Sequence, residues 1–301
     1  MNRPIALLGA PSSIGIKPYD DGTARQLDRA PQVLRSLSVV ERLGAIDAGD
    51  VVPAAYRDFV RPPHGVRNEA EVTAYSATLG ERVALASRSG HFVVLLGGDC
   101  SVVLGSLLGV RQVEGGPVGL AYVDAHADFA TPAESLTGSA ASMCLGLAVG
   151  RGDTPLARLG GEVPLVSDAD VVLLGRRDEG QPYGHAALAQ SRVLDLPDAA
   201  LADRGFAAAT ADALERLTAP RLRGFWIHLD ADVIDPREMP AVDSPEPGGP
   251  TVDRLVELIA PLVHHPRALG LELTIYDPKL DPARVCASRL VALLETVLGP
   301  H

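Results

Sequence analysis

Cysteine, aromatic side chains, basic charge and long apolar runs are all scarce in this 301-residue chain. Only three cysteines occur, Cys100, Cys144 and Cys286. So odd and sparse a set argues against a disulfide framework and fits a reducing compartment, so a cytoplasmic location is expected. Aromatics are 4% of the residues, too few to suggest a surface for stacking bases or sugars. Lysine and arginine number 27 against 38 aspartates and glutamates, a formal charge of -11. An acidic surface repels phosphate backbones, so no nucleic-acid partner is expected. No apolar run approaches the length of a bilayer span, and no membrane association is expected. The stretch 5–10, with Arg3 ahead and Pro11 behind, is too short for a signal-peptide core and reads as a first strand.

What is present is a full core: 47% of residues are hydrophobic and only 22% charged. Thirty glycines and 24 prolines imply many tight loops rather than a helical bundle. Short apolar runs alternate with helix-like stretches. Strands are predicted at 5–8, 92–96, 118–123, 171–174, 225–229 and 269–275. Helices are predicted from Pro31 to about Leu43, and over 69–88, 101–110, 207–217, 252–263 and 282–298. Longer loops fall at 53–66, 129–138 and 232–250. Continuous apolar strands separated by helices point to an α/β fold, three layers with a mostly parallel central sheet between helices. With no repeat and no polar linker, residues 1–301 read as one domain.

Ligands of open parallel sheets bind beyond the carboxyl ends of the strands. Three apolar runs end in ligand-type residues. Gly97-Gly98-Asp99-Cys100-Ser101 follows one, Asp124-Ala125-His126-Ala127-Asp128 a second, and Asp230-Ala231-Asp232 a third. The alternating spacing puts Asp124, His126 and Asp128 on one face of an extended chain, and Asp230 and Asp232 on another. Four carboxylates and an imidazole brought together would repel strongly. One or two divalent cations, manganese or magnesium among hard ions, would relieve that repulsion. The alternative is a set of solvated loop-end aspartates and helix caps. His228 precedes Asp230 by two and would share its face. No Gly-x-Ser-x-Gly, Walker or dinucleotide fingerprint occurs.

These three segments, in this order and spacing, resemble the motifs of the ureohydrolases, the arginase, agmatinase and formiminoglutamase family. Gly9-Ala10-Pro11 and Pro245-Glu246-Pro247-Gly248-Gly249 extend the resemblance along the chain. It implies an arginase-like three-layer fold, two Mn2+ ions per chain, a small-molecule substrate, and a homo-oligomer, commonly a trimer or hexamer. The implied reaction is hydrolysis of a C–N bond in a linear amidine or guanidine by metal-bound hydroxide. By position, Asp124, Asp128 and Asp230 would touch both metals or the water, and His126 and Asp232 would complete one metal's shell. Asp128 would also orient the nucleophile and shuttle its proton. Asp178, in Arg176-Arg177-Asp178, corresponds to a substrate contact or to a surface ion pair, and Ser139 is placed at the substrate as well.

Three departures from the family pattern stand out. Cys100 occupies a position where the family has a metal-ligating histidine; it is a soft ligand better suited to Zn2+ or Fe2+, or else a core cysteine. A branch of the family acting on N-hydroxyarginine also has cysteine there. Ala141 stands where a proton-shuttling histidine is usual. Ile275 stands where arginases have a glutamate near the guanidinium, and Glu272 falls on the opposite strand face. A guanidinium without that carboxylate loses a charge-assisted hydrogen bond of about 1.5–3 kcal/mol, so arginine and agmatine are poor candidates. Two functions follow: a metal-dependent hydrolase of an amidine or modified guanidine, or an inactive homologue with a binding or regulatory role.

Overall fold

The computed structural model describes residues 3–57, 64–161, 163–179 and 184–299; part of the 53–66 loop thus lies outside the described residues. Eight strands form one sheet: β1 Ile5–Gly9, β2 Ile46–Asp50, β3 Phe92–Leu96, β4 Gly119–Val123, β5 Val171–Leu174, β6 Leu194–Leu196, β7 Phe225–Asp230 and β8 Ala268–Thr274. Their order is β2-β1-β3-β8-β7-β4-β5-β6, and every described pairing is parallel. The mostly parallel sheet expected from sequence is thus wholly parallel among the described residues. Residues of β1, β3, β4, β5 and β7 are buried throughout, as apolar strands covered on both faces must be. The two edge strands escaped the sequence reading for the converse reason. Ile46-Asp-Ala-Gly-Asp50 is mostly exposed and Leu194-Asp-Leu196 is only three residues long. An edge strand need not be apolar on both sides, and polar, short edges resist pairing with other chains.

Ten α-helices are described: α1 Ala30–Arg35, α2 Val39–Arg42, α3 Glu69–Arg88, α4 Val102–Glu114, α5 Cys144–Ala148, α6 His185–Gln190, α7 Asp198–Arg204, α8 Phe206–Leu217, α9 Val252–His264 and α10 Val285–Leu298. The single helix expected after Pro31 is two, because Ser38 takes a left-handed conformation between α1 and α2. Helices α3 and α4 pack closely, while α8, α9 and α10 pack in series, giving three α/β/α layers. The α3–α4 contact runs through glycine: a Cβ at Gly109 would stand 2.5 Å from the Gly80 carbonyl oxygen.

This sheet brings the carboxyl ends of β3, β8, β7, β4 and β5 side by side, and the loops that follow them converge. The turn after β3 is held against the β1 loop. Asp99 N donates to Ser12 O at 3.0 Å, and a Cβ on Gly98 would stand 1.8 Å from the same carbonyl. Backbone cannot yield as a side-chain tip can. Gly98→Ala is therefore expected to destabilise the fold by about 2–3 kcal/mol. Urea denaturation checks this, and an unchanged midpoint would show that the Ser12 turn moves freely.

Candidate metal centre

Each of three strand ends uses an aspartate to turn the chain. Asp99 Oδ1 accepts from Ser101 N at 3.0 Å, Asp124 Oδ1 from His126 N at 2.7 Å, and Asp230 Oδ1 from Asp232 N at 2.8 Å. Carboxylates capture a backbone N–H two residues on in this way, forming an Asx-turn. This corrects the extended-chain argument. Strand β4 stops at Val123, Asp128 is left-handed at φ 45°, and Asp232 lies in a 3-10 turn. The aspartates converge because the chain turns, not because it runs straight. Asp99 is a structural anchor, also accepting from Ser12 Oγ at 3.0 Å and Gly15 N at 3.1 Å.

Two groups of donors result among the described residues. One ligand-capable atom from each of Asp124, His126 and Asp232 lies within 4.8 Å of the others. The same holds for Cys100, Asp124, His228 and Asp230, so Asp124 is common to both. His126 Nδ1 lies 3.0 Å from Asp232 Oδ2 and 3.5 Å from Asp124 Oδ1. Cys100 Sγ lies 2.7 Å from Asp230 Oδ2. Asp124, Asp230 and Asp232 are at most 3% exposed. Asp128 is in neither group. Its Oδ2 accepts from Tyr122 Oη at 2.6 Å and from Cys144 Sγ at 3.4 Å, and it faces the same cavity. Tyr122 and Cys144 carry no sequence signal for this site, each lying in an apolar stretch that reads as core, and Glu272 is set aside in the sequence by its strand face.

The electrostatics follow from the crowding. Burial, then the neighbouring Asp232, raises Asp124 to about 7; burial and Asp124 raise Asp128 to about 8. Burial, then Asp232 and Asp124, pushes Asp230 well up. His126 is raised well above its ordinary value despite burial, chiefly by Asp232. Asp232 is lowered: His126 outweighs the cost of its burial. Burial also pushes the Cys100 thiol well up, and Cys144 to about 12. Such a cluster retains protons wherever no cation compensates its charge. Its free valences point the same way: Asp124 Oδ2, His126 Nε2 and His228 Nε2 are buried with no hydrogen-bond partner. The donor set of carboxylates, imidazoles and one thiol fits a pair of divalent cations.

Above these groups lies a cavity of 170 Å³. Ser139, Asp178, Ala141 and Ile275 line it, together with an Arg25–Asp243 ion pair. Asp178 is buried, at 6% exposure, and not on the surface: it lies 3.7 Å from Arg176 Nη1 and 3.0 Å from His185 Nε2, and accepts from Ala127 N at 3.0 Å. Ser139 Oγ accepts from Lys17 N at 3.0 Å. Ile275 has φ 67°, rare for a β-branched residue, and lines the cavity with an apolar side chain that offers no charge partner. Glu272 points elsewhere, to His228 and Ser106.

Fold and site together define a parallel α/β protein with two buried groups of donors at its strand ends that could hold cations. Residues 3–299 match the model of the arginase family, and the chain belongs to that family. It is 29% identical over 307 residues to an arginase of Bacillus caldovelox, covering 99% of this chain and 98% of that one. It is 28% identical over 312 residues to an arginase of Brevibacillus brevis, with 99% of each covered. The solved Bacillus caldovelox arginase superposes with a TM-score of 0.88 at 28% identity over 99% of each chain.

The raised acids give a pH signature. Asp124 and Asp128 hold protons in the folded chain up to about pH 7 and 8, but in the unfolded chain lose them near the ordinary value of 3.8. The folded state therefore binds more protons across that window, and His126, also raised, acts in the same sense. Cation-free protein is expected to lose thermal stability as pH rises from about 5 to 9, and saturating Mn2+ to remove that slope or reverse it. Melting temperatures with and without Mn2+ check this, and identical profiles would contradict it.

Proposed function

We propose that this chain is a metal-dependent hydrolase that cleaves a C–N bond in a small, linear amidine or modified guanidine. The observation that carries the reading is the pair of donor groups sharing Asp124 at the floor of a narrow cavity, in a chain of the arginase family. Asp124, His126 and Asp232 would hold one cation; Asp124, Asp230 and Cys100 would hold the other. Two bound Mn2+ ions would supply a nucleophile at neutral pH by acidifying a water.

The remaining work falls to side chains. Asp128 faces the cavity with one oxygen held by Tyr122 and Cys144, which leaves the other to orient the water and take its proton. Burial and Asp128 keep the Tyr122 phenol protonated, so it remains a donor to that carboxylate. Asp178 and Ser139 lie where they can receive the polar end of a substrate. Ala141 can move no proton, and Ile275 can pair no guanidinium. Both point to a substrate less basic than a plain guanidine, with a leaving nitrogen that needs less protonation; an N-hydroxyguanidine meets both conditions.

Metal-loaded protein tested on amidines, guanidines and N-hydroxyguanidines should release urea, a substituted urea, ammonia or formamide, and chelator should abolish the activity. Asp128→Asn should lower kcat by about 10²-fold or more, with a much smaller change in KM. Folded protein with metal content near zero, or inert towards the whole panel when loaded, would favour an inactive homologue with a binding role.

A further inference from the structure

We propose that His228 is a metal ligand, supplying from β7 the imidazole that the motif at Cys100 lacks. The inference rests on the reading of the site as a metal pair. Strand register places it. Tyr122, His228 and Glu272 are paired across β4, β7 and β8, so their side chains share one face and one row. Asp230 stands on the same face two residues further along β7, and the row of His228 forms the layer beneath the donor groups.

Two contacts hold the ring, and a third braces one of them. Nδ1 lies 2.6 Å from Glu272 Oε1. Glu272 Oε2 in turn accepts from Ser106 Oγ of α4 at 2.5 Å. Tyr122 stacks on the imidazole with centroids 4.2 Å apart and planes 14° from parallel. Glu272 engages one nitrogen and leaves the other, Nε2, which is buried without a hydrogen-bond partner in a residue of 0% exposure. A donor atom of His228 lies within 4.8 Å of donors from Cys100, Asp124 and Asp230. A carboxylate on the far nitrogen that fixes a histidine's tautomer and angle is the usual support of a metal-binding imidazole. A histidine serving only the core would leave Nε2 with nothing to bond.

The two metal positions then differ in chemistry. Asp124, His126 and Asp232 offer mostly oxygen. Cys100, His228, Asp124 and Asp230 offer sulfur, nitrogen and oxygen, a set that favours Co2+, Zn2+ or Fe2+ over Mn2+.

The full chain loaded with Co2+ tests this by readouts other than turnover. X-ray absorption of the wild type should count two imidazoles for two cobalts. His228→Gln should lose one cobalt, or bind it at least about 10-fold more weakly, with a changed visible spectrum, and Glu272→Gln should weaken the same position by about 10-fold. Asp232→Asn should weaken the other. An imidazole count of one in the wild type would overturn the proposal whether or not the variants fold. So would a folded His228→Gln protein that keeps both cobalts with unchanged affinity and spectrum. Wild-type protein that takes up no cobalt would overturn the metal reading itself, and this inference with it.

Discussion

Asp124, Asp230 and Asp232 are buried a few ångströms apart, with Asp128 beside them, and little positive charge nearby offsets theirs. His126, the basic member of the group it forms with Asp124 and Asp232, settles on Asp232. The others relieve their repulsion by holding protons that an exposed aspartate would have lost several pH units lower. Keeping such groups together is costly unless a cation takes the place of the protons. The sheet order, the tight turns after each strand and the surrounding apolar core all hold this unfavourable cluster in place.

The framework works because its parts are rigid where the charges meet. Asp99, Asp124 and Asp230 each close a turn on backbone two residues ahead. The same residue type thus shapes the loop and, at two of the three ends, presents an oxygen to the site. Arg177 ties the loop after β7 to the end of β5, donating to the carbonyls of Asp232 at 2.8 Å and Val233 at 3.0 Å. Left-handed Asp128 and Ile275 border the same cavity, in a conformation that side chains adopt only under constraint from their surroundings.

Against this shared framework, the departures at residues 100, 141 and 275 form a pattern. On the proposed reading of the site, Ala141 and Ile275 offer neither a proton carrier nor a cation partner to the cavity they line. Cys100, on the same reading, brings a thiol to the donors, and the His228 imidazole near it keeps Nε2 buried without a hydrogen-bond partner. With both donor groups present, this pattern supports the proposed altered specificity over decay of the site.

Much of this could be read along the chain. The six strands with continuous apolar runs, the long helices and the aspartate and histidine motifs were all legible, because burial on both faces demands apolar runs and cation binding demands carboxylates. The polar edge strands were not, since nothing obliges an edge to be apolar. Nor was the break at Ser38, which depends on a single left-handed residue. The spacing by two pointed to these strand ends on an extended geometry that the chain does not have: the aspartates turn it, and Asp128 falls outside both donor groups.

The sequence by itself determined the kind of chemistry available: which residues could bear charge, bind a cation or move a proton, and at which strand ends. Only the tertiary structure decided which of them meet. His228, Glu272 and Tyr122 are far apart in sequence, and no local pattern distinguishes a core histidine from a ligand. Their alignment comes from the register of β4, β7 and β8, which is set by long-range pairing and packing and brings a His228 ring nitrogen within 4.8 Å of donors from Cys100, Asp124 and Asp230.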